Sequence, residues 1–209
     1  YAPAQVRLAD ILDKAEEDFF SSCDLNPDSK RNILWAFHVL HAFGDSDVRT
    51  AMKLLNGDVS HLGTNPCGEI ILQSKQYCNL SVIVARHDDT AESLLRKMRV
   101  AAILGTYQAT LTNFSYLSKE WKDNCEKERL LGVSINGQWD CPEARDKKVL
   151  EKLKEEAVKI NKQYAKKFGI NQASCITCVK PSGTLSQMVD CASGMHPRHA
   201  GYYIRRVRI

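Results

Sequence analysis

The sequence predicts an α/β protein, because short apolar, β-branched runs alternate along it with long stretches of helical character. "NLSVIV" (Asn79 to Val84), "LLGVSING" (Leu130 to Gly137) and "CITCV" (Cys175 to Val179) read as buried strands. The segments between them carry the periodicity and charge of helices. Repeated strand–helix units give strands that lie parallel and buried, so an α/β barrel or an open parallel sheet is expected. In such folds ligands gather on the loops at the carboxyl ends of the strands.

Taken in order, the first sixty or so residues read as helical. Leu8, Ile11, Leu12, Ala15 and Phe19 share one face, Ile33, Leu34, Phe37 and Leu40 another, and Val48, Met52 and Leu55 a third. Gly44 and Gly57 stand at helix C-terminal stops. After the strand at Asn79, Asp89 and Glu92 have capping-box spacing and open a helix expected to reach about Leu117. After the second strand, Pro142 opens a charged helix that ends near Gly169. "YYIRRVRI" (Tyr202 to Ile209) would be a fourth strand.

Composition bounds the class. The chain has 209 residues, 44% of them hydrophobic and 26% charged, which is ordinary for a globular protein. No apolar run approaches the roughly 18 residues that span a bilayer, and the acidic amphipathic start is unlike a signal peptide, so a cytoplasmic protein without membrane contact is expected. The net charge of +4 is mild and dispersed, which does not call for nucleic acid. The start at Tyr1 and the stop at Ile209, inside an apolar and basic alternation, suggest an internal piece of a longer protein. Without a secretion signal, the eight cysteines (Cys23, Cys67, Cys78, Cys125, Cys141, Cys175, Cys178 and Cys191) read as free thiols. Cys125 and Cys141 read as incidental, and Trp35, Trp121 and Trp139 as packing residues.

Two stretches carry chemistry. In "TNPCGEIIL" (Thr64 to Leu72), Asn65, Cys67 and Glu69 fall at every second position, so an extended loop would point an amide, a thiol and a carboxylate to one side. Pro66 fixes and Gly68 frees the backbone, which suits a loop tip in a confined space, and Cys78 at the start of the next strand can face the same space. After the third strand, Pro181, Ser182, Gly183, Thr184 and Ser186 offer hydroxyls and close backbone approach at a helix start, where an anion or an ordinary cap would fit. A rival reading takes Cys175, Cys178, Cys191 and His196 (with His199 nearby) as zinc ligands of a nucleic-acid-binding module using Arg205, Arg206 and Arg208. Against it, strand residues three apart point to opposite faces. A metal site is therefore not expected.

Asn-x-Cys-x-Glu followed by a second cysteine resembles the finger loop of ribonucleotide reductase catalytic chains, and "NPCGEI" resembles the class II, adenosylcobalamin-dependent form. "LGTYQATLTNFSYLSKEW", "RLLGVSINGQWD" and "KPSGTLSQMVDCASGMHPRHAGYYIRRVRI" follow in the family's order, so the resemblance runs from about Asp58 to the end. It implies a ten-stranded α/β barrel with a central finger loop carrying the radical cysteine. Residues 1–57 would form a helical segment of the catalytic domain, and 58–209 the later part of the barrel, with the finger loop at about 63–73 and a phosphate-binding loop at about 181–186. Cys67 would carry the thiyl radical, Glu69 take the proton of the 3′-hydroxyl, Asn65 hold the ribose hydroxyls, and Cys78 supply one thiol of the reducing dithiol. Pro181, Ser182, Gly183, Thr184 and Ser186 would bind the phosphates of a ribonucleoside di- or triphosphate. Adenosylcobalamin would be the radical source, with the diiron- and glycyl-radical-dependent classes as alternatives. A thioredoxin-like reductant would act through segments outside this chain. The second thiol of the dithiol would lie upstream, and Cys23, in a helical acidic context, does not match it. This chain alone is therefore expected to lack turnover.

Overall fold

The computed structural model describes residues 39–40, 42–44, 62–204 and 206. The helical reading of residues 1–38, the stop at Gly57, and Cys23 and Trp35 lie outside the described residues. Val39, Leu40, Ala42 and Phe43 are helical, and the Gly44 N–H closes on the Leu40 carbonyl at 2.9 Å, as a helix stop requires.

A short hairpin comes first. β1 (Leu62–Thr64) pairs antiparallel with β2 (Ile71–Gln73), Thr64 opposite Ile71, and the predicted loop is its tip. Then β3 (Asn79–Val84) pairs in parallel with β4 (Leu131–Asn136), Asn79 opposite Leu131 and Val84 opposite Asn136. Both strands fall where the β-branched runs place them. β4 is buried at every residue. Its other edge is taken by the Cys175 region: the Leu131 N–H donates to the Cys175 carbonyl at 3.0 Å, and the Cys178 N–H donates to the Val133 carbonyl at 3.0 Å. That region is an extended segment with a single parallel bridge, Val133 to Thr177, and not the full strand expected. Of the fourth strand expected at 202–209, the described residues 202–204 and 206 are irregular, and Arg205 and residues 207–209 lie outside the described set.

One helix packs directly on this sheet and a second packs on that helix. α1 (Ala91–Gln108) packs on β3, on β4 and on α3 (Lys147–Phe168), burying Leu94, Met98, Ala101 and Ala102 against Val133, Ile135, Leu150, Leu153 and Ala157. Gly105 lets α1 sit close, because a Cβ there would stand 2.7 Å from Leu131 Cδ2. Sequence reasoning runs α1 too far. It is capped by Thr90 and Ser93 in a reciprocal box and stops at Gln108, where "ATLTN" brings β-branched and polar residues that prefer turns. A separate helix, α2 (Lys119–Glu128), follows. Asp89 is instead an anchor, its carboxylate held below the usual range: burial opposes ionisation, but bonds from Lys97, Ser93 and the Arg86 N–H outweigh it. Pro142 begins a 3₁₀ turn (Glu143–Arg145), and α3 starts only after Asp146, whose carboxylate accepts from the Lys148 and Val149 N–H groups. Gly169, at φ 69°, ends α3 as expected.

One buried polar chain ties the helices to the segment that leads into the site. Asn161 Nδ2 donates to Thr106 Oγ1 at 3.0 Å, Thr106 donates to the Ala102 carbonyl at 2.7 Å, and the Ala173 N–H donates to Asn161 Oδ1 at 3.0 Å. Removing the amide strands a buried N–H, which costs about 1–3 kcal/mol. Asn161→Ala is therefore predicted to lower unfolding free energy by roughly that amount, with Asn161→Asp no better, as read from urea denaturation.

Candidate active site

The hairpin tip is a tight turn and not the extended loop inferred from alternation. The Asn65 N–H donates to the Ile70 carbonyl at 3.1 Å and the Gly68 N–H to the Asn65 carbonyl at 3.0 Å, with Gly68 at φ 79°. That positive φ suits glycine. The turn folds Glu69 back on Asn65, whose Nδ2 donates to Glu69 Oε1 at 2.7 Å while its Oδ1 accepts from the Ile70 N–H at 3.2 Å. Asn65 and Glu69 are both buried, and Cys67 is exposed at the apex.

Lys180 reaches two of the three predicted residues, Glu69 and Cys67, from the far side. It follows the extended segment beside β4, and its Nζ lies 2.9 Å from Glu69 Oε1 and 3.2 Å from Cys67 Sγ. Burial disfavours the Lys180 ammonium, but its bonds to Glu69 and Cys67 outweigh that and hold it above the usual lysine range. Glu69 Oε2 is buried without a hydrogen-bond partner among the described residues. A buried carboxylate is costly without a counter-charge, and Lys180 is that counter-charge for Glu69. Sequence reasoning gave Lys180 no role; the one signal was its place at the end of a buried run, next to the hydroxyl-rich loop.

Cys78 is half-buried at the edge of a small apolar cluster of Ile70, Leu130, Cys175 and Cys178. Burial, then the Glu69 charge, push its thiol up to about 11, with Lys180 pulling the other way. Electrostatics thus link Cys78 to the same site. The shared cluster also corrects the alternation argument: in an irregular segment Cys175 and Cys178 face common neighbours. Among the described residues, no three His, Cys, Asp or Glu side chains gather as a metal-ligating group.

The tip faces a cavity of about 310 Å³ lined by Cys67, Ser134 and Asn136 of β4, Lys180, Ser182 and Gly183. It takes in the carboxyl ends of β4 and of the Cys175 segment, where a ligand was expected, but also runs along Leu80, Ser81 and Val82 of β3, and its volume is at the lower end of the roughly 300–1,000 Å³ typical of small-molecule sites. Asn136 organises its far wall, with Nδ2 donating to Ser182 Oγ at 2.9 Å and Oδ1 accepting from the Gly194 N–H at 3.2 Å. A polar residue in a strand buried throughout was the signal that could have found it. Of the hydroxyl loop, Pro181, Ser182 and Gly183 line the cavity. Ser186 is buried and donates to the Gly183 carbonyl at 2.9 Å inside α4 (Thr184–Met188), and Thr184 opens that helix. His196 and His199 stand apart: His196 Nδ1 lies 3.2 Å from the Ser193 carbonyl, and the His199 ring meets Tyr203 edge-on. Arg198 between them is paired with Asp140 and Asp190.

The raised Cys78 thiol gives a direct test. Alkylation by iodoacetamide, followed by mass spectrometry of the Cys78 peptide, is expected to rise with pH through a midpoint near 11 in the folded protein and near 9.0 after denaturation. A folded midpoint below 9.0 contradicts this placement of Cys78.

No protein-family model matches the chain. Its sequence is 31% identical over 176 residues to the adenosylcobalamin-dependent ribonucleoside-triphosphate reductase of Lactobacillus acidophilus, covering 70% of this chain and 23% of that protein. It is 31% identical over 171 residues to the enzyme of the same name from Euglena gracilis, covering 76% of this chain and 23% of that one. A crystal structure of a B12-dependent (class II) ribonucleotide reductase superposes with a TM-score of 0.52 at 27% identity, covering 68% of this chain and 23% of that chain. The chain thus spans about a quarter of the length of these relatives. Over that quarter it is related in sequence and in fold to the adenosylcobalamin-dependent ribonucleoside-triphosphate reductases.

Proposed function

We propose that this chain is a part of a ribonucleotide reductase that converts a ribonucleoside di- or triphosphate to its 2′-deoxy form by thiyl-radical chemistry. The observation that carries the reading is the meeting of Cys67, Glu69 and Asn65 at one hairpin tip beside a cavity walled by the Ser182 loop. Residues 58–209 are then the later part of a ten-stranded barrel and residues 1–57 a helical segment of the same domain. The hairpin at 63–73 is the finger loop, and Pro181, Ser182, Gly183, Thr184 and Ser186 form the phosphate loop.

Each residue has a task in this reading. Cys67, exposed at the apex, is reachable by a radical source from outside the hairpin, which fits an external cofactor. Bound adenosylcobalamin supplies the radical that removes the Cys67 hydrogen atom; no residue of this chain is assigned to hold it. The Cys67 sulfur takes the 3′-hydrogen of the ribose. Glu69 Oε2 accepts the proton of the 3′-hydroxyl, and the 2′-hydroxyl leaves as water with a proton from the dithiol. Two electrons come from Cys78 and a second thiol outside this chain, which become a disulfide as their other hydrogen goes to the 2′ carbon; Glu69 returns its proton to the 3′ oxygen, and Cys67 returns its hydrogen to the 3′ carbon. Asn65 orients Glu69 through Oε1. Burial of Glu69 keeps water away from the base. A thioredoxin-like protein reduces the disulfide through segments outside this chain, in the cytoplasm, and the isolated chain has no turnover. No helix among the described residues is long and apolar enough to cross a membrane.

In the intact protein, Cys67→Ser is expected to bring deoxyribonucleotide formation below detection while nucleotide binding, read by calorimetry, stays within about threefold of wild type. Glu69→Gln is expected to lower kcat by roughly 10²–10⁴, the usual contribution of a general base. Substantial turnover in Cys67→Ser contradicts the assignment.

A further inference from the structure

The two donors at Glu69 are arranged unequally. Asn65 Nδ2 and Lys180 Nζ both bond Oε1, at 2.7 and 2.9 Å, and Oε2 receives nothing among the described residues. Lys180 comes from a loop 111 residues further along the chain and also reaches the Cys67 sulfur at 3.2 Å. Its side chain keeps partial exposure and lines the cavity, whereas the Glu69 side chain is 2% exposed. The ammonium thus bonds both reactive side chains and belongs to a residue that lines the space a ligand would fill.

We propose that Lys180 is a positioning residue of this site, whose ammonium fixes the Cys67 sulfur on the cavity wall and the buried Glu69 carboxylate beside it, and leaves Oε2 as the oxygen that meets a substrate hydroxyl. This role rests on the reductase reading, because it assigns the substrate end of Glu69. The hairpin tip is otherwise tied down by its own short turn, so Lys180 joins the tip to the wall that carries Ser182 and Asn136. A second consequence is electrostatic. The titratable groups that face one another here are Cys67, Glu69, Cys78 and Lys180. A cation beside a thiol favours its thiolate and a carboxylate disfavours it, so replacing Lys180 with a neutral residue leaves the Cys67 thiol facing an unopposed negative charge. Its alkylation then slows. A merely loosened fold would expose Cys67 further and speed it, so the sign separates a positioning role from a structural one.

The test uses the intact protein with Lys180→Met, Lys180→Gln as a second neutral variant, and Lys180→Arg. Iodoacetamide labelling of Cys67 at pH 8, followed by mass spectrometry, is expected to slow at least about threefold in both neutral variants and to stay within about twofold of wild type in Lys180→Arg. Turnover with adenosylcobalamin and a dithiol is expected to show kcat reduced about tenfold or more in the neutral variants, partly recovered in Lys180→Arg, with KM changed less than about threefold. Labelling at the wild-type rate or faster in both neutral variants overturns the proposal, as does wild-type kcat in either. Wild-type protein that shows the Lys180-dependent labelling yet forms no deoxyribonucleotide overturns the reductase reading and still supports the hold of Lys180 on Cys67.

Discussion

β4 is bonded on both edges and buried at all of its residues, and this places everything else. A strand in that position cannot present polar backbone to an apolar neighbour, so both edges must be paired in register. Pairing with β3 fixes the half of the sheet that α1 covers. Pairing with the Cys175 segment fixes the other half and sets where that segment ends. Its next residues are Val179 and Lys180, so the sheet delivers a cation to the hairpin tip and the Ser182 loop to the cavity mouth. Asn136, at the end of β4, then bonds Ser182 directly.

A buried carboxylate is the second constraint. Glu69 is 5% exposed, and an ion in that position has to be paired to remain charged. The turn at Gly68 supplies an amide from its own hairpin, and the sheet supplies Lys180 from across the fold. The two donors hold one oxygen and leave the other without a donor among the described residues. Burial, then the Glu69 charge, keep Cys78 a thiol near neutral pH against the pull of Lys180. A thiol is the state from which a hydrogen or proton can be given, so the electrostatics suit the role assigned to Cys78.

Much of this was legible from residues close in sequence. β3 and β4 fell where β-branched runs met turn residues, Gly169 ended α3, and Asn65, Cys67 and Glu69 proved to be neighbours. Their convergence came from a turn stabilised at Gly68 and not from strand alternation. The boundary after Gln108 was obscured because Leu111 and Leu117 continue the apolar spacing while Thr110, Thr112 and Asn113 break the helix. The Cys175 segment looked like a strand from its β-branched residues, yet only Thr177 makes a bridge. Lys180 was invisible for a different reason. Its partners lie more than a hundred residues away, and only the closed sheet brings them within bonding distance.

The central claim is that this hairpin tip serves radical reduction of a ribonucleotide. The most direct measurement is deoxyribonucleotide formation by the intact, folded protein with a dithiol reductant, with and without adenosylcobalamin. The account predicts product only when adenosylcobalamin is present. No product under either condition, or equal product without it, would contradict the account.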